Sequence, residues 1–342
     1  MGRWLRRAVA LALVTVLVLA GAIGWIFQQL RSPYRNWDGE STTVSIPSGA
    51  SAAAALQALA AAGVVERPQL VRRYLSWRGQ GDQLQAGEYR FDRPLTPLQA
   101  IERLRDGDVL LHPITLPEGL SRREIAAALA EREFGEEEAF LAAFNTAVGV
   151  AELDPDATDL EGYLFPETYH FSRTTTVEQI AATMVRRFRT VTGEGYRQAA
   201  ETAGLSLRQA VTLASMIEKE TSIEGERREI AAVFHNRIKK RMLMQCDPTV
   251  MYALAINDQP VAKLYSKHLK FDSPYNTYRY PGLPPGPIAN PGEASLRAAV
   301  EPNESDSLYF VAKPGGGHTF SPTLEEHNRA VRVWRRYARS LR

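Results

Sequence analysis

Cysteine is almost missing from this 342-residue sequence: Cys246 stands alone, so no intramolecular disulfide can form and stability must come from packed cores. A surplus of one charge is missing too. Lys and Arg number 41 against 39 Asp and Glu, a net charge of +2, which argues against a dedicated nucleic-acid binder with its basic excess. The six histidines, His112, His170, His235, His268, His318 and His327, show neither H-E-x-x-H nor any other close ligand spacing, so no metal site is expected. His318 and His327 read as packing or substrate-edge residues. S-x-x-K and K-T-G do not occur, which excludes acyl-enzyme chemistry of the penicillin-binding type. PGGGHTF lacks the Gly-Lys-Ser/Thr ending of a phosphate loop and reads as a hairpin turn, so no cofactor is expected.

Long hydrophobic runs are also scarce, with one exception. Ala8 to Phe27 (AVALALVTVLVLAGAIGWIF) is uncharged over twenty residues, about 30 Å of helix and so one hydrocarbon core. Arg3, Arg6 and Arg7 precede it. The positive-inside bias then keeps residues 1–7 cytoplasmic, makes 8–30 a membrane anchor, and exports the chain beyond it. The rival reading is a cleaved signal peptide, because Ala20-Gly21-Ala22 resembles an A-x-A site. Apolar residues continue past it through Ile23, Trp25, Ile26 and Phe27, which favours the anchor. Either way the bulk of the chain is exported.

The patterning beyond this run predicts an α+β protein. A tether over 31–41 leads to a small α+β region, 42–134, and then to a mainly helical region, 135–342. Within the first, VSIPSGAS (Val44 to Ser51) matches ITLPEGLS (Ile114 to Ser121) at an offset of seventy, each a strand, a turn and a helix capped by Ser51 or Ser121. Chance likeness of two such units is the alternative. In the second region helices are expected over Thr176 to Val191, Gly195 to Ala203, Ser206 to Thr221, Ile223 to Arg241 and Glu293 to Val300. Ser273 to Gly292 has too much Pro and Gly for regular structure. A hairpin turns at Pro314 to Gly317, and a last helix starts near Ser321. Its arginines, Arg329 to Arg342, read as a solvated face or as an attraction to an anionic wall or membrane.

LASMIEKETSIEGER (Leu213 to Arg227) poses the chemical question. Leu207, Val211 and Ala214 form one apolar stripe, and Glu218 is its next position, facing inward. Glu220, rotated by about 200°, is expected to face solvent. Glu224, Glu226 and Glu229 are expected in the first turn of the next helix. Burial and the helix C-terminal dipole both raise the pKa of a carboxyl, as a general acid requires. The competing role for Glu218 is a structural ion pair with a buried Arg or Lys. Gln245 and Asp247 in MLMQCDPTVMY, with Tyr275, Asn276 and Tyr278 in SPYNTYRYPGLPPGPI, are polar groups that suit sugar hydroxyls and N-acetyl groups; they equally suit ordinary turns.

ASMIEKET, RMLMQCDPTVMY, SPYNTYRYPGLPPGPIANPG, LEGYLFPETY and LYFVAKPGGGHTFSPTLEEHN, behind an anchor, resemble the endolytic murein transglycosylase (YceG-like) family over nearly the whole chain. The resemblance implies a LysM-like region over 42–134 and a lysozyme-like catalytic domain with a small β-hairpin subdomain over 135–342. It further implies non-hydrolytic cleavage of the β-1,4 bond between N-acetylmuramic acid and N-acetylglucosamine in nascent peptidoglycan, leaving 1,6-anhydro ends and terminating strand elongation. By position it makes Glu218 the catalytic acid/base; the order Glu, Met-Gln turn, Tyr-Asn also resembles the lysozyme-like lytic transglycosylases, which implies Gln245 and Asn276 as substrate contacts beside the polar Tyr275, Tyr278 and Asp247. The implied partners are glycan strands and peptidoglycan synthases (penicillin-binding proteins), with no nucleic acid. Cys246 sits where Thr or Ser is more usual, with no role expected of it. Two alternatives stay open: a hydrolase with Asp247 or Asp272 as a second carboxylate about 5–9.5 Å away, and a membrane-tethered glycan-binding scaffold without catalysis.

Overall fold

The computed structural model describes residues 2–80 and 83–340. The chain forms two compact units, one of residues 1–113 with 170–175, the other of 114–169 with 176–342.

The first unit opens with α1 (Arg3–Arg31), a helix long and apolar enough to cross a membrane. Its last turns are not free. Leu30 is 1% exposed in the core of this unit, Ile26 packs beside it, and the Arg67 guanidinium lies 4.9 Å from the Trp25 ring centroid. The expected tether is likewise held down, by a Tyr34 N–H to the Leu95 carbonyl (3.0 Å) and an Asn36 N–H to the Gly63 carbonyl (2.9 Å). Gly63 has φ of +72°, and a Cβ there would stand 1.9 Å from the Asn36 oxygen, so a side chain is excluded on both counts.

Strand β1 (Thr42–Ile46) is followed by α2 (Ala52–Ala61) and α3 (Pro68–Arg78), and then by β2 (Gly87–Phe91), which pairs antiparallel with β1 from Thr42 opposite Phe91 to Ile46 opposite Gly87. Period-two alternation turns Val44, Ile46, Tyr89 and Phe91 inward against Leu56, Leu59, Val71 and Leu75. Helix α4 (Pro97–Asp106) is closed at its start by a Thr96–Gln99 capping box and at its end by Gly107 in the left-handed region.

Strand β3 (His112–Thr115) leads into the second unit, where α5 (Arg122–Glu131) and α6 (Glu137–Phe144) pack on each other. The expected division after 134 therefore falls inside a helix pair, and the units part at 113–114 instead. Both matched segments fold alike, Ser51 capping α2 and Ser121 capping α5, but they belong to different units. Strand β4 (Thr168–Phe171) follows, Thr168 meeting the Thr115 hydroxyl at 2.8 Å.

Then come α7 (Val177–Val191), α8 (Glu194–Thr202), α9 (Leu207–Glu220), α10 (Arg227–Lys239) and α11 (Asp247–Ala255). A loop whose only helical turn is His268–Lys270 runs to α12 (Glu293–Val300). The hairpin β5 (Tyr309–Ala312) and β6 (His318–Ser321) and the final helix α13 (Leu324–Ser340) complete the unit.

Helix α9 is the axis of this unit. It touches α8, α10, α11 and α12, and every residue from Ala210 to Ile217 is buried. A Ser206–Gln209 capping box begins it, each side chain accepting the other's backbone N–H. Ser206→Ala is expected to cost about 1 kcal/mol of stability, read as a lowered urea midpoint with an unchanged slope.

Candidate active site

The two carboxylates at the end of α9 leave it on different sides and meet different chemistry. Glu218 faces inward, its side chain 7% exposed. It is already engaged: Arg227 donates to Oε1 at 3.2 Å and the Gly292 N–H donates to Oε2 at 3.0 Å. Arg227 also lies 3.7 Å from Glu118 and donates to the Ser295 hydroxyl at 3.0 Å. The structural ion pair, the alternative role for Glu218, is thus what this side of the helix contains. The open cavity beyond it, about 590 Å³, is walled by ions with partners of their own, including Arg297 with Glu293 at 2.9 Å and Arg228 with Glu301.

Glu220 overturns the expectation that it faces solvent. The 200° rotation is correct, but an enclosed helix has no solvent side there: α10, the turn before α11 and the β5–β6 hairpin bring Arg237, Cys246 and His318 around this carboxyl. Desolvation by burial and the nearby Asp247 push its pKa up to about 7, against the opposing influences of the Cys246 thiol, His318 and Arg237. Cys246 therefore does have a contact that matters. Its thiol, kept protonated by burial and by Glu220 itself, lies beside the Glu220 carboxyl and favours its charged form.

Glu220 opens onto a cavity of about 380 Å³, within the ~300–1,000 Å³ of small-ligand sites, whose walls include Gln245, Asp247, Tyr278, Arg237 and His318. Three of the expected substrate contacts thus come together here. Gln245 is exposed, and its side-chain amide has no protein partner among the described residues. Its backbone is held at φ of +52°, an unusual conformation for a residue with a side chain and one that recurs at functional sites. Asp247 begins α11, where the helix dipole favours an anion, and accepts a 2.5 Å hydrogen bond from the Tyr278 hydroxyl. Burial and that bond raise the Tyr278 pKa, so the phenol stays neutral.

The other expected contacts do not reach this cavity. Asn276 is completely buried, its amide donating to the Leu269 and Phe271 carbonyls at 3.0 and 2.7 Å. It shapes the loop from behind. Tyr275 lies with its ring centroid 5.0 Å from that of Tyr252, tilted by 54°, with its pKa pushed up to about 12 by burial, and is not among the cavity walls. Asp272 pairs with Arg279 and Tyr280 at the surface.

Two neighbours of Glu220, Arg237 and the Glu226 that fixes His318, were missed in the sequence because they come from distant segments, whereas His318 itself reads there as a packing or substrate-edge residue. Arg237 is 6% exposed and has no carboxylate in ion-pair contact among the described residues; it donates to the Leu308 carbonyl (2.7 Å) and to those of Leu243 and Met244 (3.2 and 2.6 Å), fixing the turn that carries Gln245 to the start of the hairpin. Burial lowers its pKa. Glu226 is not a first-turn acid of α10 but lies in the short 3-10 turn before it. It accepts the His318 backbone N–H at 2.8 Å and pairs with the ring Nδ1 at 2.7 Å. Desolvation opposes its charge, but these bonds prevail and hold its pKa below the usual range. His318 is thereby fixed at the cavity wall. The one sequence signal for these was polarity inside otherwise helical or hairpin patterns.

The two carboxylates should differ in stability effects. Glu218→Ala leaves Arg227 buried without its main partner and is expected to destabilise by about 3–5 kcal/mol. For Glu220 the folded pKa exceeds the ordinary 4.5, so the folded chain keeps a proton that the unfolded chain has lost between about 4.5 and 7, and stability falls as pH rises through that window. Glu220→Gln is therefore expected to be the more stable protein at pH 8, by on the order of 3 kcal/mol, with the gap closing toward pH 4. Urea unfolding of both variants against pH checks the two signs.

The YceG-like family model matches residues 44–333. An endolytic murein transglycosylase of Bacillus subtilis is 34% identical over 92% of this chain and 90% of its own length. A protein of the same description from Streptococcus pneumoniae is 27% identical over 95% of this chain and 65% of its own. The crystal structure of a YceG-like protein of Listeria monocytogenes superposes with a TM-score of 0.59 at 34% identity, covering 85% of this chain and 98% of that one. With this extent of agreement and the enclosed carboxyl above a polar cavity, the chain belongs to the YceG-like family.

Proposed function

We propose that this protein is an endolytic murein transglycosylase in which Glu220, rather than Glu218, is the catalytic acid and base. The observation that carries the reading is the Glu220 carboxyl: desolvated, pushed to a pKa of about 7, and facing a cavity with Gln245, Asp247 and Tyr278 on its walls. A carboxyl poised near neutrality holds a proton to give and becomes a usable base once it has given it.

The substrate is a peptidoglycan glycan strand and the bond the β-1,4 link from N-acetylmuramic acid to N-acetylglucosamine. Protonated Glu220 gives its proton to the glycosidic oxygen as the bond to C1 breaks. The carboxylate then takes the proton of the muramoyl 6-hydroxyl, whose oxygen attacks C1 and closes a 1,6-anhydro ring. Glu220 ends protonated, as it began, and no water enters: this is lyase chemistry, and it terminates the strand. The Cys246 thiol orients the carboxyl, and Gln245 and Tyr278 supply hydrogen bonds to hydroxyl and N-acetyl groups. Glu218 acts through the fold, holding Arg227 and the Gly292 backbone.

The same reading takes α1 as a single membrane anchor with the cytoplasmic end at Arg3, Arg6 and Arg7, and places both units on the outer side of the inner membrane. The first unit, taken as LysM-like, would hold glycan for the catalytic unit, taken as lysozyme-like, and peptidoglycan synthases would supply the nascent strand. One observation favours a hydrolase as the second reading: Asp247 shares the cavity with Glu220 and is available as a second carboxylate.

Product masses separate the two. Incubating the full chain in detergent with uncrosslinked peptidoglycan is expected to yield ends one water lighter than reducing sugars; ordinary reducing ends support the hydrolase, and intact strands leave only a scaffold. With kcat/KM measured against pH, activity is expected to fall as pH rises through about 7. Glu220→Gln should abolish cleavage at every pH while Glu218→Gln keeps it; the reverse pattern overturns the assignment.

A further inference from the structure

Glu220 does not stand at the blind end of its cavity. On its other flank lies a second cavity of about 470 Å³, which shares Glu220, Ala312 and His318 with the first. The carboxyl sits where the two meet, so a chain molecule can pass it with units on either side.

The second cavity is built differently from the first. Its outer wall is the α13 face that carries Trp334 and Tyr337, one turn apart, with ring centroids 5.8 Å from each other. No residue of α13 is buried, and both rings stay half-exposed, so neither has been consumed by packing. Its floor is the hairpin tip, Gly315, Gly316 and Gly317, all at positive φ (+86°, +95° and +76°). Nothing lies within 4 Å of where a Cβ on Gly315 or Gly316 would stand, which leaves their backbone open to a ligand. Glu226 clamps this tip from below: a Cβ on Gly317 would meet its Oε1 at 2.3 Å. Flat apolar rings beside an uncovered glycine turn match a pyranose, whose axial C–H face is apolar and whose rim of hydroxyl and N-acetyl groups is polar.

We propose that this second cavity is a saccharide subsite, in which an N-acetylated hexose of the same β-1,4-linked strand stacks on Trp334 and Tyr337, across Glu220 from the sugar held by Gln245 and Tyr278. The inference rests on the transglycosylase reading and adds to it how the strand lies. Internal cutting follows from it, because sugars are gripped on both sides of the broken bond. Packing of the last helix on the hairpin is the plainer role for these rings, but packing would have buried them.

The test uses the full chain in detergent with uncrosslinked glycan strands. Trp334→Leu, which keeps apolar volume and loses the ring face, is expected to raise KM about tenfold with kcat changed by less than about twofold, and to shift the products toward different lengths. Trp334→Phe should restore most of the loss. Wild-type cleavage with unchanged KM and product lengths in Trp334→Leu overturns the subsite and leaves the transglycosylase reading standing; absence of cleavage by the wild type removes that reading instead. Should Trp334→Leu fail to fold, hydrogen exchange of Glu220→Gln with the same strands decides. Protection at 313–318 and 334–337 supports the subsite, and protection confined to the Gln245 side overturns it.

Discussion

The second unit depends on one constraint, the enclosure of α9 on every side. A helix in that position must be apolar all round, and Ala210 to Ile217 is buried without a break. A polar residue placed next along it leaves water where a neighbouring element covers it, as at Glu218 and Glu220, while Lys219 between them stays exposed. Glu218 and Glu220 both pay that desolvation, and their surroundings answer it in two ways. Glu218 is matched by a guanidinium and a backbone N–H; Glu220 receives a thiol and distant charges that fall short of a full ion pair. The first arrangement is a buried ion pair and the second leaves a proton undecided. On the proposed reading, stability and reactivity are divided between two residues separated by one position in the chain.

How much of this was legible in the sequence varied with how local the cause was. Capping residues mark α5, α7 and α9 at Ser121, Thr176 and Ser206 because a side chain and a backbone three residues apart decide the start. Glu293–Val300 and the turn at Pro314 to Gly317 follow from equally local rules. The orientation of Glu218 was readable from the apolar stripe. The role of Glu220 was not, because a stripe specifies one buried face and says nothing about whether the other is covered. Asn276 was misread for a related reason: an amide in a Pro- and Gly-rich loop looks available to a ligand, whereas buried loops need side-chain amides to satisfy their own carbonyls.

That need shapes the irregular chain between α11 and α12. Asn290 is wholly buried; it accepts the Leu164 N–H at 2.8 Å and donates to the Leu120 carbonyl at 2.9 Å, so three segments far apart in sequence meet on one amide. Glu161 adds the Arg122 N–H (2.9 Å) and the Tyr252 hydroxyl (3.2 Å), and burial lifts its pKa to about 8 despite them. Thr277 receives the Cys246 N–H at 3.1 Å and joins the Thr249 hydroxyl at 2.8 Å, which ties the Tyr278 loop to the Gln245 turn. Two loops with no ladder between them are held in register by threonines. The polar walls of the cavity are thus held from behind by buried hydrogen bonds.

The end of α1 has a mechanical consequence. Its 29 residues make about 43 Å of helix, more than a hydrocarbon layer requires, and the surplus carries Ile26 and Leu30 into the first unit while the strap after it is pinned at Tyr34 and Asn36. No hinge separates the rod from the body it bears. The first unit is borne on a mast rather than a leash: if the helix spans a bilayer as proposed, these contacts carry its tilt into that unit.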